Sequence, residues 1–190
     1  MTAAAAGAAA GTDRDVLVAG IGNIFLGDDG FGVEVARRLA EWEVPPGVEV
    51  QDTGVRGVHL AYQLLDGYRA VVLIDAVPGD EPPGTLRVLE PDLAQQQPDA
   101  GAAVDGHRMT PDAVLGLLGT LTEGVGGTGP RRVLIVGCVP ASLEEGIGLS
   151  VPVAAAVEDA AHLVRGLVDD LVAPRDGAGF PARRGDAPAV

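Results

Sequence analysis

Two neighbouring acids, Asp28 and Asp29, follow an apolar run and a glycine-rich turn in V-L-V-A-G-I-G-N-I-F-L-G-D-D-G-F-G, residues 16–32. A third, Asp75, follows the run A-V-V-L-I at 70–74, and His107 stands in a polar segment just ahead of Thr110-Pro111. Two carboxylates and an imidazole suit a borderline divalent ion such as nickel or zinc, with a coordination position left open for a reacting group. Close to a helix N-terminus the imidazole stays neutral, because the positive end of the dipole disfavours the imidazolium, and the neutral ring is the form that ligates. Each residue also has a plainer reading. Asp28-Asp29 could cap a helix, Asp75 could end a strand and accept loop amides, and His107 could be solvated.

Whether these groups meet depends on the elements that carry them. Val16–Ala19 and Ala70–Ile74 are β-branched and without polar interruption, the pattern of strands buried on both faces. Val48–Gln51 and Arg132–Val136 extend the set, and the alternating Thr85–Leu89 reads as an edge strand. Helical spacing links Phe31, Val35, Leu39 and Trp42 in a helix over 30–43 that ends at Pro45-Pro46-Gly47. A short helix turns Val58, Tyr62 and Leu65 inward and closes at Gly67. Thr110 caps a helix with Pro111 at its first position, and Ser150 with Pro152 opens the last, which carries Val153, Val157, Ala161, Val164 and Val168 on one face. Alternation of this kind gives a mostly parallel sheet with helices on both faces, and strand ends of one parallel sheet share a rim. Asp29, Asp75 and His107 are expected on that rim, where open α/β sheets place their ligand sites.

Composition removes other chemistries. The 190 residues include no lysine, which rules out a Walker-type phosphate loop and Schiff-base or Ser–Lys catalysis. Ser142 and Ser150 are the only serines and neither sits in a G-x-S-x-G elbow. Gly27 comes five residues after Gly22, too late for the dinucleotide fingerprint, and two acids stand where a pyrophosphate would need donors. A formal charge of -14 argues against nucleic acid as a partner. The lone Cys138 reads as a small buried hydrophobe, with a nucleophile paired to His107 as the alternative, and fits a reducing compartment. No apolar run approaches the ~20 residues of a spanning helix, and the start lacks a basic n-region, so a cytoplasmic protein without membrane insertion is expected. Residues 1–14 and 174–190, rich in Ala, Gly, Pro and charge, read as disordered tails around one domain at 15–173.

The motifs resemble those of the hydrogenase maturation endopeptidases, which trim the large subunit of nickel–iron hydrogenases. G-I-G-N-I-F-L-G-D-D-G-F-G is similar to the family's N-terminal signature, V-V-L-I-D-A-V to the segment with its second acid, and G-H-R-M-T-P to the loop with its histidine. V-L-I-V-G-C-V-P-A-S-L-E-E-G-I-G-L-S matches in order and spacing too, so that the likeness runs from about Val16 to Val172. The resemblance implies a three-layer α/β sandwich on a twisted five-stranded sheet. It places Asp29, Asp75 and His107 as ligands of a nickel ion brought by the substrate, with zinc or cadmium as surrogates. Asp29 and Asp75 become the catalytic acids. Asn23 and the loop Asp52-Thr53-Gly54 become substrate-binding, although that loop departs from the Asp-Gly-Gly-Thr order of the family. The implied partner is a precursor large subunit, cut near its C-terminus by a monomeric enzyme. The bound metal then either drives hydrolysis or only positions the scissile bond. A non-catalytic nickel-sensing chaperone and a small-molecule hydrolase are the rival functions.

Overall fold

The structure, a computed structural model, describes residues 15–93 and 110–173. His107 and both expected tails lie outside the described residues.

Five strands form one sheet: β1 (Val16–Ile21), β2 (Val48–Gly54), β3 (Ala70–Ala76), β4 (Leu86–Leu89) and β5 (Arg132–Cys138). Their order is β2-β1-β3-β5-β4, with only β4 antiparallel to its neighbour. The helices are α1 (Phe31–Ala40), α2 (Gly57–Gln63), α3 (Pro111–Gly124) and α4 (Val151–Val172). Side chains alternate across the sheet. Val16, Val18, Val72, Ile74, Leu134 and Val136 face α1 and α4 on one side. Leu17, Ala19, Val71, Leu73, Val133 and Ile135 face α2 and α3 on the other. Covering both faces lets β1 and the first five residues of β3 be apolar, since each fully buried Val or Leu contributes about 1.5–3 kcal/mol. Among the described residues, no helix is long and apolar enough to cross a membrane.

The elements match the expected sequence of strands and helices, with two differences. All three site-bearing strands run two or three residues further than the apolar periodicity indicates, so Asp75 lies inside β3 and Asp52, Thr53 and Gly54 inside β2. Ladder hydrogen bonds carry a strand past its last apolar residue wherever a neighbour is available to pair. The second difference is the phase of α2. Leu60 and Ala61, with Leu64 just beyond, are buried, whereas Val58 and Tyr62 are exposed. A seven-residue helix with apolar groups on two sides holds too few turns for periodicity to fix its inward face.

Glycines set how closely α1 approaches the sheet. Gly20 remains in β1, and a Cβ there would overlap the Gly32 carbonyl and stand 2.7 Å from the Ala36 Cβ. A Cβ on Gly32 would overlap the carbonyl oxygens of Ile21 and Ile74. These neighbours are backbone and cannot turn aside. Gly32→Ala is therefore expected to destabilise the fold by about 1–3 kcal/mol, as overpacking does. Thermal denaturation should show a clear fall in melting temperature, and an unchanged midpoint would contradict the packing described.

Candidate functional site

In the order β2-β1-β3, the chain leaves β1 toward one side of the sheet and later returns to the other. The crevice beyond the carboxyl ends of β1 and β3 is the switch point of the topology, the usual ligand position in such folds. Gly22 turns the chain out of β1 with a φ of 129°, where a side chain is strained. A Cβ at this position would also overlap the Asp29 carbonyl and lie 3.6 Å from Asp75 Oδ1. A 3-10 turn, Gly27–Gly30, then leads directly into α1 and carries both acids of the opening motif.

The two acids point to different tasks. Asp28 is 1% exposed, and its carboxylate accepts from the amides of Ala141 (2.7 Å), Ser142 (3.1 Å) and Ser150 (2.6 Å) and from Ser150 Oγ (2.9 Å). It caps no helix in its own segment; it fastens the loop at 140–150 to the turn. Burial works against its charge, but these donors outweigh burial and hold the carboxyl below its ordinary value. Asp29 instead faces the crevice, where its Oδ2 accepts from the Asn23 amide at 2.7 Å. Asn23 is itself held in a side-chain turn by the Phe25 amide, which donates to its Oδ1 at 3.0 Å.

Asp29 and Asp75 line one cleft of about 120 Å³, together with Gly22, Asn23, Gly54 and Thr110. Asp75 is 3% exposed and, among the described residues, takes one hydrogen bond, from the Ala76 amide to Oδ1 at 2.8 Å. Burial, and next the charge of Asp29, push its carboxyl well above the usual carboxylate range; the Ala76 amide opposes them weakly. Such an acid beside a second carboxylate could hold a cation. Among the described residues no third His, Cys, Asp or Glu completes a metal-binding group. The remaining expected ligand, His107, falls outside them.

The expected substrate loop divides between two hollows. Gly54 lines the cleft with Asn23, while Asp52 and Thr53 line an adjoining hollow of about 240 Å³ that shares Gly22, Asn23, Gly54 and Val55 with it. Thr53 is 1% exposed, and its hydroxyl has no hydrogen-bond partner among the described residues. Asp52 accepts from Arg37 Nε at 3.2 Å. Sequence reasoning missed Thr110, Leu143 and Val55 as cleft residues. Thr110 was legible as a cap, which it is, with Oγ1 accepting from the Ala113 amide at 3.3 Å. Nothing in its spacing told that α3 begins at the crevice. Cys138 is fully buried, and burial with the charge of Asp28 pushes its thiol up to about 11, so it is no nucleophile. His59 is exposed, and the His162 ring packs 4.9 Å from that of Trp42.

A family described as hydrogenase maturation protease matches residues 33–166, well over half the chain. The chain belongs to the hydrogenase maturation protease family. Hydrogenase expression/formation protein HupM of Azotobacter chroococcum is 33% identical over 172 residues, covering 88% of this chain and 79% of its own. The hydrogenase 2 maturation protease of Escherichia coli is 30% identical over 151 residues, covering 78% and 87%. The structure of the hydrogenase maturating endopeptidase HybD from E. coli superposes with a TM-score of 0.64 at 29% identity, over 82% of this chain and 93% of that one. The maturation protease is thus an endopeptidase on a fold shared with its relatives, and a purely holding, non-catalytic module is set aside.

The opposed environments of Asp28 and Asp75 give opposite responses. Asp28, with its carboxyl lowered, contributes stability that is present above its ordinary 3.8 and lost as pH falls through its folded value. Asp28→Asn sets an amide against three N–H donors and should cost roughly 3 kcal/mol at neutral pH. Asp75, with its carboxyl raised from 3.8, contributes stability that is complete below that value and lost as pH rises through its folded one. Asp75→Asn cannot ionise, so its melting temperature should exceed wild type at neutral pH, with the advantage gone in acid. Melting curves across pH check both, and a lower neutral midpoint for Asp75→Asn would contradict the environment assigned to it.

Proposed function

We propose that this protease removes the C-terminal extension of the nickel-loaded precursor of a nickel–iron hydrogenase large subunit. The substrate's own nickel would be grasped by Asp29, Asp75 and His107. The observation that carries this reading is the pairing of Asp29 with a nearly wholly buried Asp75 in one cleft at the switch point. Burying Asp75 beside the charge of Asp29 is costly, and a divalent ion would relieve both burial and repulsion. His107 precedes Thr110, a cleft residue, by three positions, and three residues span at most about 11 Å. The family's name supplies the hydrogenase, and its relatives' names supply proteolysis in maturation.

Nickel in that position would polarise the scissile carbonyl or acidify a water. Asp29, which faces the cleft and is oriented by the Asn23 amide, is the base that accepts a proton from the attacking water. The water oxygen bonds to the carbonyl carbon, the C–N bond breaks, and the proton passes to the leaving amine. Asp75 accepts no proton in this scheme; it holds the ion. Asn23 and Gly54 line the cleft with both acids, so the peptide would run past them.

Incubation with nickel-loaded and nickel-free precursor, read by intact mass, tests the reading. Only the loaded form should lose its extension, and equal trimming of both would contradict metal recognition. Asp29→Asn and Asp75→Asn should each slow cleavage of the loaded form on the order of a thousandfold or more. A variant that cuts at the wild-type rate would remove that residue from the mechanism.

A further inference from the structure

On the far side of the turn that carries Asp29 lies a second concavity of about 490 Å³, roughly four times the cleft in volume. Ile24, Ile147, Leu149 and Val157 form its apolar wall. Ile147 on this wall is 82% exposed, and Val151, the first residue of α4 and two positions beyond the lining Leu149, is 85% exposed. The Phe25 carbonyl accepts from the Gly146 amide at 2.9 Å, one residue before Ile147, and Phe25 is 61% exposed. Apolar side chains grouped in this way mark interaction sites more often than scattered ones do.

Their exposure is built in. Asp28 holds both ends of the loop at 140–150 through the Ala141, Ser142 and Ser150 amides, and the Gly27 amide donates to the Gly146 carbonyl at 3.0 Å. The loop therefore cannot fold Ile147 inward without breaking hydrogen bonds to a buried charge. The same two segments wall both hollows. Leu26 and Leu143 face the cleft, whereas Ile24 and Ile147 face the groove. An occupant of the groove stands next to whatever lies in the cleft. A polypeptide bound at the cleft would therefore lie beside the groove, because the turn at 22–30 and the loop at 140–150 wall both hollows.

We propose that this groove docks an apolar segment of the precursor protein whose extension the enzyme removes. The proposal rests on the function proposed above, and it assigns substrate recognition to a surface separate from the acids. The cleft then reads the metal and the groove reads the polypeptide. Neither alone selects the metal-loaded precursor.

The test compares wild type with the single variants Ile147→Asp and Val151→Asp and with their combination, acting on nickel-loaded precursor. Val151 is the first residue of α4, where an acid is compatible with the helix dipole, and Ile147 is on the surface, so melting temperatures should stay near wild type. Val125→Asp, at a 71% exposed valine beyond α3 in the opposite layer, is the control for added charge. The double variant should raise KM about tenfold or more with kcat retained, the loss expected of removed docking contacts, and the control should leave both unchanged. Wild-type KM in the folded double variant overturns the groove while leaving the proposed function standing. A wild-type enzyme that leaves the loaded precursor intact overturns the function, and this surface with it. Sedimentation of each protein provides the remaining outcome: a wild-type dimer that the double variant dissolves, with KM unchanged, assigns the face to a second copy and overturns the proposal.

Discussion

A carboxyl buried beside a second carboxylate is the constraint around which this fold is arranged. Asp75 is nearly without solvent and, among the described residues, has one amide donor, and Asp29 faces the same cleft. Like charges in a poorly solvated crevice repel, and burial adds to the cost. The surrounding structure holds them there nonetheless. Gly22 leaves room between them, the 3-10 turn fixes Asp29, and the β3 ladder pairing of Asp75 with Gly137 fixes the other.

Support for that arrangement comes from a third acid with the reverse character. Asp28 is as buried as Asp75, yet its four donors make the charged form the comfortable one. Through it, a loop more than a hundred residues away is locked against the turn that carries Asp29. One dipeptide thus supplies a buried structural anion and a cleft-lining neighbour, and the two face opposite ways. The locked loop in turn presents Leu143 to the cleft and Ile147 to the outer groove, so a single anchoring contact organises both surfaces.

Much of this was legible in the chain, for reasons tied to particular residues. The uninterrupted β-branched runs at 16–19 and 70–74 could only be strands covered on both faces, and that made their carboxyl ends neighbours. Asp29 and Asp75 followed from that geometry. The division of labour between Asp28 and Asp29 did not, because the donors to Asp28 lie on a loop whose return to the turn is a tertiary event. Gly20, although it adjoins the glycine-rich turn, stays in β1 and owes its identity to the approach of α1. Strand length beyond the apolar core and the phase of α2 likewise depend on neighbours rather than on local periodicity.

The central claim is that the paired acids exist to grip a metal ion that arrives with the substrate. X-ray absorption at the nickel edge, on loaded precursor frozen with the enzyme before turnover completes, addresses it directly. The account predicts that oxygen and nitrogen scatterers join the nickel shell on mixing with wild type, and that the oxygen contribution shrinks with Asp75→Asn. A nickel spectrum unchanged by the enzyme would contradict it.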